Sequence, residues 1–131
     1  MQAIAEFLSN FKPFYIATID GDQPRVRPFG ASAVVDGKLY IVTNSQKSVA
    51  AQLKANPKIE ISTTAADGRW LRLTAEAVLD KNPASEQSVL EKLPQLKNLY
   101  KDSLVNFEAY YLKNAAGLIV SRDGTSESHT F

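Results

Sequence analysis

The chain has 131 residues, enough for one domain around one core. It is 44% hydrophobic and 22% charged with a net charge of +1, so nothing draws it generally to nucleic acid or an anionic membrane. Cysteine is absent, which removes disulfides, thiolate metal sites and cysteine nucleophiles, and no apolar run approaches the ~20 residues of a membrane helix.

The N-terminal segment MQAIAEFLSNF carries Glu6 and lacks both a basic start and a long apolar stretch. It reads as a short amphipathic helix with Ile4, Phe7 and Leu8 on one face, not as a secretion signal, and the expected location is cytoplasmic. Phe14 to Ile19 is a strand-like run, followed by a turn at Asp20-Gly21-Asp22. Pro24 to Val35 is a second strand-like stretch. Asp36-Gly37 then signals a hairpin into Lys38 to Thr43, which completes a predicted meander.

Ser45 as N-cap and Asn56-Pro57 as stop predict a helix over 46–55, with Val49, Ala50 and Leu53 buried. Lys58 to Thr63 alternates as a strand does. Trp70 to Leu79 alternates over ten residues, with Leu71, Leu73 and Ala75 on one face and Trp70, Arg72 and Thr74 on the other. Asn82-Pro83 opens a helix to about Leu93, and a short helical piece follows toward Tyr100. Phe107 to Leu112 and Gly117 to Ser121 are the last two predicted strands, and the polar tail 122–131 is expected to fray. Six or seven mainly antiparallel strands with inserted helices predict a closed or nearly closed barrel, since alternating βαβ order is missing.

Three segments hold the potential chemistry. In an extended Arg25 to Gly30, the side chains of Arg25, Arg27 and Phe29 share one side, Pro28 withholds an N–H and Gly30 leaves no side chain. That gives a basic patch beside a kink where backbone can approach a ligand; a solvated edge strand is the plainer alternative. In Thr43 to Ser48 a strand meets a helix start, where backbone N–H groups attract anions. Lys47 there opposes the helix dipole unless an anion is bound, and Thr43 and Ser45 add hydroxyls; an ordinary capped helix is the alternative. Arg69-Trp70 heads the long alternating strand, and Trp70 falls on its polar face, to stack on a ring system or to be buried under the helices or at a subunit contact. His129 is the only histidine and cannot build a typical metal site. No nucleophile elbow, dinucleotide fingerprint or P-loop occurs, so what survives is anion binding, and a cofactor that carries its own reactivity.

Taken in order, FYIATIDGDQPRVRPFG, DGKLYIVTNSQKSVAAQLKANPKIEIS and GRWLRLTAEAVL resemble the pyridoxamine 5'-phosphate oxidase-like FMN-binding split-barrel family. The resemblance covers about residues 5 to 80 well. It implies a split barrel, a homodimer and an FMN site at each subunit interface. Arg27, Pro28, Phe29, Gly30, Ala31 and Ser32 would line the flavin, with Arg27 near the phosphate and Arg25 in support. Val42 and Thr43 fall on the next contact strand, Ser45 and Lys47 at the phosphate, and Trp70 where the neighbouring subunit approaches. Gln46 stands where many members have an arginine, and Ser32 where the named oxidases have a substrate-binding lysine. With the chain ending at SESHTF, the resemblance carries fold and cofactor but not the named reaction. The expected function is an FMN-dependent oxidoreductase acting on a small molecule; the alternatives are a non-catalytic flavin-binding, electron-transfer or sensor protein, or a relative using deazaflavin or haem.

Overall fold

The computed structural model describes residues 1–131. One antiparallel sheet of eight strands forms the body: β1 (Phe14–Asp20), β2 (Gln23–Phe29), β3 (Ser32–Val35), β4 (Lys38–Asn44), β5 (Lys58–Thr64), β6 (Trp70–Asp80), β7 (Phe107–Val120) and β8 (Ser126–Thr130). Their order is β2-β1-β5-β6-β7-β4-β3, with β8 paired to the second half of β7. Four helices punctuate it: α1 (Gln2–Asn10), α2 (Ser48–Ala55), α3 (Pro83–Glu91) and α4 (Pro94–Lys97). No helix is long and apolar enough to cross a membrane.

Two hydrophobic cores follow from the alternation of the strands. The larger joins the inward faces of β1, β5 and β6, among them Ile16, Ile61, Leu71 and Leu73, to Ile4, Phe7 and Leu8 of α1. This packing explains Gly117, where an added Cβ would lie 2.5 Å from Ile4 Cδ1. The smaller core lies under α3 and α4, where Val89, Leu90 and Leu93 meet Val35, Tyr40, Val42 and Phe107. The Asp36-Gly37 hairpin forms as read, both residues taking the positive φ that its turn requires (50° and 74°).

Several sequence expectations are corrected. The stretch 24–35 is two strands, not one. Phe29 is the last residue of β2 paired to β1, Gly30 and Ala31 pair with nothing, and Ser32 begins β3 against Ile41 of β4. The meander is therefore broken, with β2 and β3 at opposite ends of the sheet, covalently linked but unpaired. Helix α2 starts at Ser48, with Lys47 at its cap position. Asn44 causes the delay: its side chain accepts the Gln46 N–H (2.9 Å) and its carbonyl accepts the Lys47 N–H (3.0 Å), closing a tight turn before the helix.

The two last predicted strands are one, β7, kept continuous across a bulge opposite Thr74 and Glu76. The tail does not fray. Asp123 accepts from the backbone and side chain of Thr125 to turn the chain, β8 pairs with β7, and Phe131 exchanges two backbone hydrogen bonds with Ala115. Strand pairing uses backbone groups, so a polar sequence does not prevent it.

Candidate functional site

The break between β2 and β3 faces the end of β4, the start of α2 and the segment after α4. These elements enclose a cavity of about 590 Å³. Arg27, Pro28, Phe29, Gly30 and Ala31 form one wall. Val42, Thr43, Gln46 and Lys47 form the adjoining one, and Leu96, Leu99 and Tyr100 close the far side. The linkage of β2 to β3 without pairing is what opens this space, because a continuous strand would have filled it with its neighbour.

Arg27 is half-buried and firmly held. Its Nη1 donates to Thr18 Oγ1 (2.7 Å) and to the Ile16 carbonyl (3.3 Å), and its Nη2 donates to Gln52 Oε1 (2.5 Å). Thr18 Oγ1 in turn donates to the same Gln52 oxygen (2.6 Å). Three of the five guanidinium N–H donors are thus used within the protein and two remain. No carboxylate pairs with Arg27 or with Lys47. Burial, with the Arg25 charge alongside, lowers the Arg27 pKa from its ordinary value. A guanidinium so placed stays charged and lacks a counter-ion.

At the start of α2 the N–H groups of Ser48 and Val49 have no acceptor in the protein, and no side chain caps the helix. Exposed Lys47 at the cap places a second cation beside the positive helix end. A cation at this helix end is unfavourable by itself; with an anion present the sign reverses. The cavity walls next to them are apolar (Ala31, Val42, Leu96 and Leu99). The arrangement therefore suits a molecule with an anionic end and an apolar body.

Four of the residues picked from the sequence lie elsewhere in this chain. Ser45 does not cap α2: its hydroxyl donates to Asn106 Oδ1 (2.8 Å), and its N–H to the Asn106 carbonyl, tying the turn to the segment before β7. Arg25 is exposed and pairs with Asp20 (3.1 Å), an ion pair formed across the β1–β2 turn. Ser32 is half-buried on β3, opposite Ile41. Trp70 lies on the outer face of β6 with the Arg72 guanidinium 5.1 Å from its ring centre. Of Arg27, Ser45 and Lys47, expected together at one phosphate, only Arg27 and Lys47 line the cavity.

Other contributors were missed. Gln52 and Thr18 orient Arg27, yet an i,i+3 glutamine inside a predicted helix reads as a solvent-facing residue. Asn44, Leu96, Leu99 and Tyr100 line the cavity, and only the topology brings the α4 segment there. For Asn44 a signal existed, since asparagine before a helix start is a common turn former.

An open antiparallel barrel with an anion-receptive cleft at its split is a protein of the split-barrel class. The family model described as pyridoxamine 5'-phosphate oxidase matches residues 1–110, and the chain belongs to that family. Among solved structures it is similar to a NimC/NimA family protein from Clostridium acetobutylicum, at 42% identity and a TM-score of 0.95, covering 100% of this chain and 92% of that one. A protein related to general stress protein 26, of the pyridoxinephosphate oxidase family and from the same organism, shares the fold at 15% identity and a TM-score of 0.76, over 99% and 93% of the two chains. A haem-binding protein from Mycobacterium smegmatis also shares it, at 16% identity and a TM-score of 0.74, over 96% of this chain and 56% of that one. No curated protein sequence matches the chain.

Proposed function

We propose that the cavity binds FMN and that the protein is a flavin-dependent oxidoreductase acting on a small molecule. The observation that carries this reading is that Arg27, Lys47 and Val49, whose amide is free, line one cavity together with the apolar side chains of Ala31, Val42, Leu96 and Leu99. The phosphate fits the two cations and the amides, and the ring fits beside Pro28 to Ala31 and Val42. When bound, the flavin supplies hydride and electron transfer; the protein supplies grip, orientation and partial exclusion of water. The lining holds no carboxylate or histidine, so a non-catalytic flavin or electron-transfer role is the rival within the same reading.

The proposal includes a homodimer. Val26, Tyr15 and Ile19 are 69%, 47% and 37% exposed, and they share the outer face of β1 and β2 with Pro24 and Pro28. Pro28 also lines the cavity, so this apolar face runs into the cavity rim. A second copy seated there would cover both and could bring its Trp70 face toward the flavin.

Haem is the alternative raised by the haem-binding relative. Haem commonly takes an axial histidine, cysteine, methionine or tyrosine. Tyr100 is the single such residue in the lining, and His129 lies on β8, paired with Glu127. The visible spectrum of protein purified without added cofactor is the test. Flavin bands, or FMN retained through desalting, support the reading; colourless protein that does not quench FMN fluorescence overturns it, and a Soret band selects haem.

A further inference from the structure

Tyr100 is 8% exposed and lines the cavity, its ring packed edge-on against Phe107 with the centres 5.0 Å apart. Its hydroxyl lies 3.0 Å from Asn44 Nδ2. The direction of that bond is set by the backbone. Asn44 Oδ1 accepts the Gln46 N–H, so the amide group facing Tyr100 is the NH2 and it donates. The phenolic oxygen is therefore the acceptor, and its own hydrogen cannot point at Asn44. No other side-chain or backbone acceptor in the protein takes it. The hydroxyl hydrogen is thereby left for an acceptor on the cavity side, which Tyr100 lines.

We propose that the Tyr100 hydroxyl donates a hydrogen bond to a carbonyl-type oxygen on the molecule that fills the cavity. It selects ligands bearing such an oxygen over hydrocarbons of the same shape. The oxygen can belong to the flavin ring or to a small ligand beside it; in the first case the assignment rests on the flavin reading, in the second it stands on the cavity alone. The chemistry matches the rest of the lining, which has cations and amide donors but no carboxylate to repel an oxygen acceptor.

The test uses the full chain, FMN, acetophenone and α-methylstyrene, in which a CH2 group replaces the carbonyl oxygen. Tyr100→Phe removes the donor and keeps the ring. Asn44→Asp keeps the hydroxyl and the Gln46 contact but captures the phenolic hydrogen on its own carboxylate. Thermal unfolding confirms that each variant is folded.

If the oxygen is the small ligand's, the acetophenone carbonyl stretch falls in frequency on binding to the wild type, and the shift vanishes in both variants. Its affinity then drops roughly five- to tenfold in each, as for one lost hydrogen bond, while that of α-methylstyrene is unchanged. If the oxygen is the flavin's, the ring carbonyl bands of bound FMN carry the shift instead. Bands of both probes that are indifferent to Tyr100 overturn the inference. Failure of the wild type to bind FMN overturns only the flavin reading, and the acetophenone result in the ligand-free protein then decides this one.

Discussion

Arg27 on β2 and Gln52 on α2 are joined across the barrel wall by a guanidinium-to-amide hydrogen bond of 2.5 Å. Gln52 Oε1 also accepts from Thr18, so a single oxygen holds both Thr18 and Arg27, the cavity's only half-buried cation. Gln52→Glu keeps both bonds but sets a carboxylate against the guanidinium, offsetting the charge left for a phosphate. FMN affinity is expected to fall about tenfold or more with the melting temperature retained. Gln52→Ala leaves two donors without their acceptor and is expected to cost roughly 1–3 kcal/mol of stability. Fluorescence titration alongside thermal unfolding separates the two effects, and equal FMN affinity in wild type and Gln52→Glu would remove Arg27 from the phosphate.

Lys47 is exposed and acts through charge, so its contribution should depend on salt and on the phosphate. Lys47→Ala is expected to weaken FMN by several-fold, on the scale of about 1 kcal/mol, and to flatten the salt dependence of binding. Riboflavin, which has the ring without the phosphate, should bind wild type and variant alike. A parallel loss for both ligands would place Lys47 at the ring instead.

What the sequence made legible was local. Asp36-Gly37 specified its hairpin, and the alternation read over Trp70 to Leu79 separated core from surface as far as Ala77. Arg27 to Ala31 and Lys47 stood out because their residue types conflict with an ordinary strand or helix start. Connections between distant segments were not legible. Nothing in 94–100 signals that Tyr100 meets Asn44, 56 positions away, and nothing in Ser45 favours Asn106 over its own helix. The order β2-β1-β5 at one end of the sheet and β7-β4-β3 at the other likewise depends on pairings that hairpin reasoning does not reach. The polar segment 126–130 misled because side-chain polarity says little about a strand held by its backbone.

Val26 tests the proposed dimer. It is 69% exposed and central on the outer face of β1 and β2. Val26→Asp places a charge where a second copy would bury it, at a cost that an interface of modest size does not withstand. Light scattering should give a dimer for wild type and a monomer for the variant, and FMN affinity should fall with the dimer if the partner completes the site. Wild type that scatters as a monomer would discard this interface. A variant that stays dimeric with unchanged flavin affinity would move the interface elsewhere.

Tyr40 gives the fold a measurable sensitivity to base. Burial, together with the hydrogen bond it donates to Asp80 Oδ2 (2.9 Å), pushes its pKa from 10.0 up to about 12. The folded protein therefore holds this proton after the unfolded chain has released it. Between about pH 10 and 12 the unfolded state binds fewer protons, so the stability from Tyr40 is complete below pH 10 and is lost as pH rises through that window. Tyr110, raised by burial and by its bond to buried Glu108, adds a slope of the same sign. Tyr40→Phe is expected to cost about 1 kcal/mol at neutral pH, through the lost hydrogen bond, and to make the decline between pH 9 and 11 shallower without abolishing it. Urea unfolding midpoints at the two pH values measure this directly. An unchanged decline in the variant would mean that Tyr40 ionises normally and that its bond to Asp80 does not hold the proton.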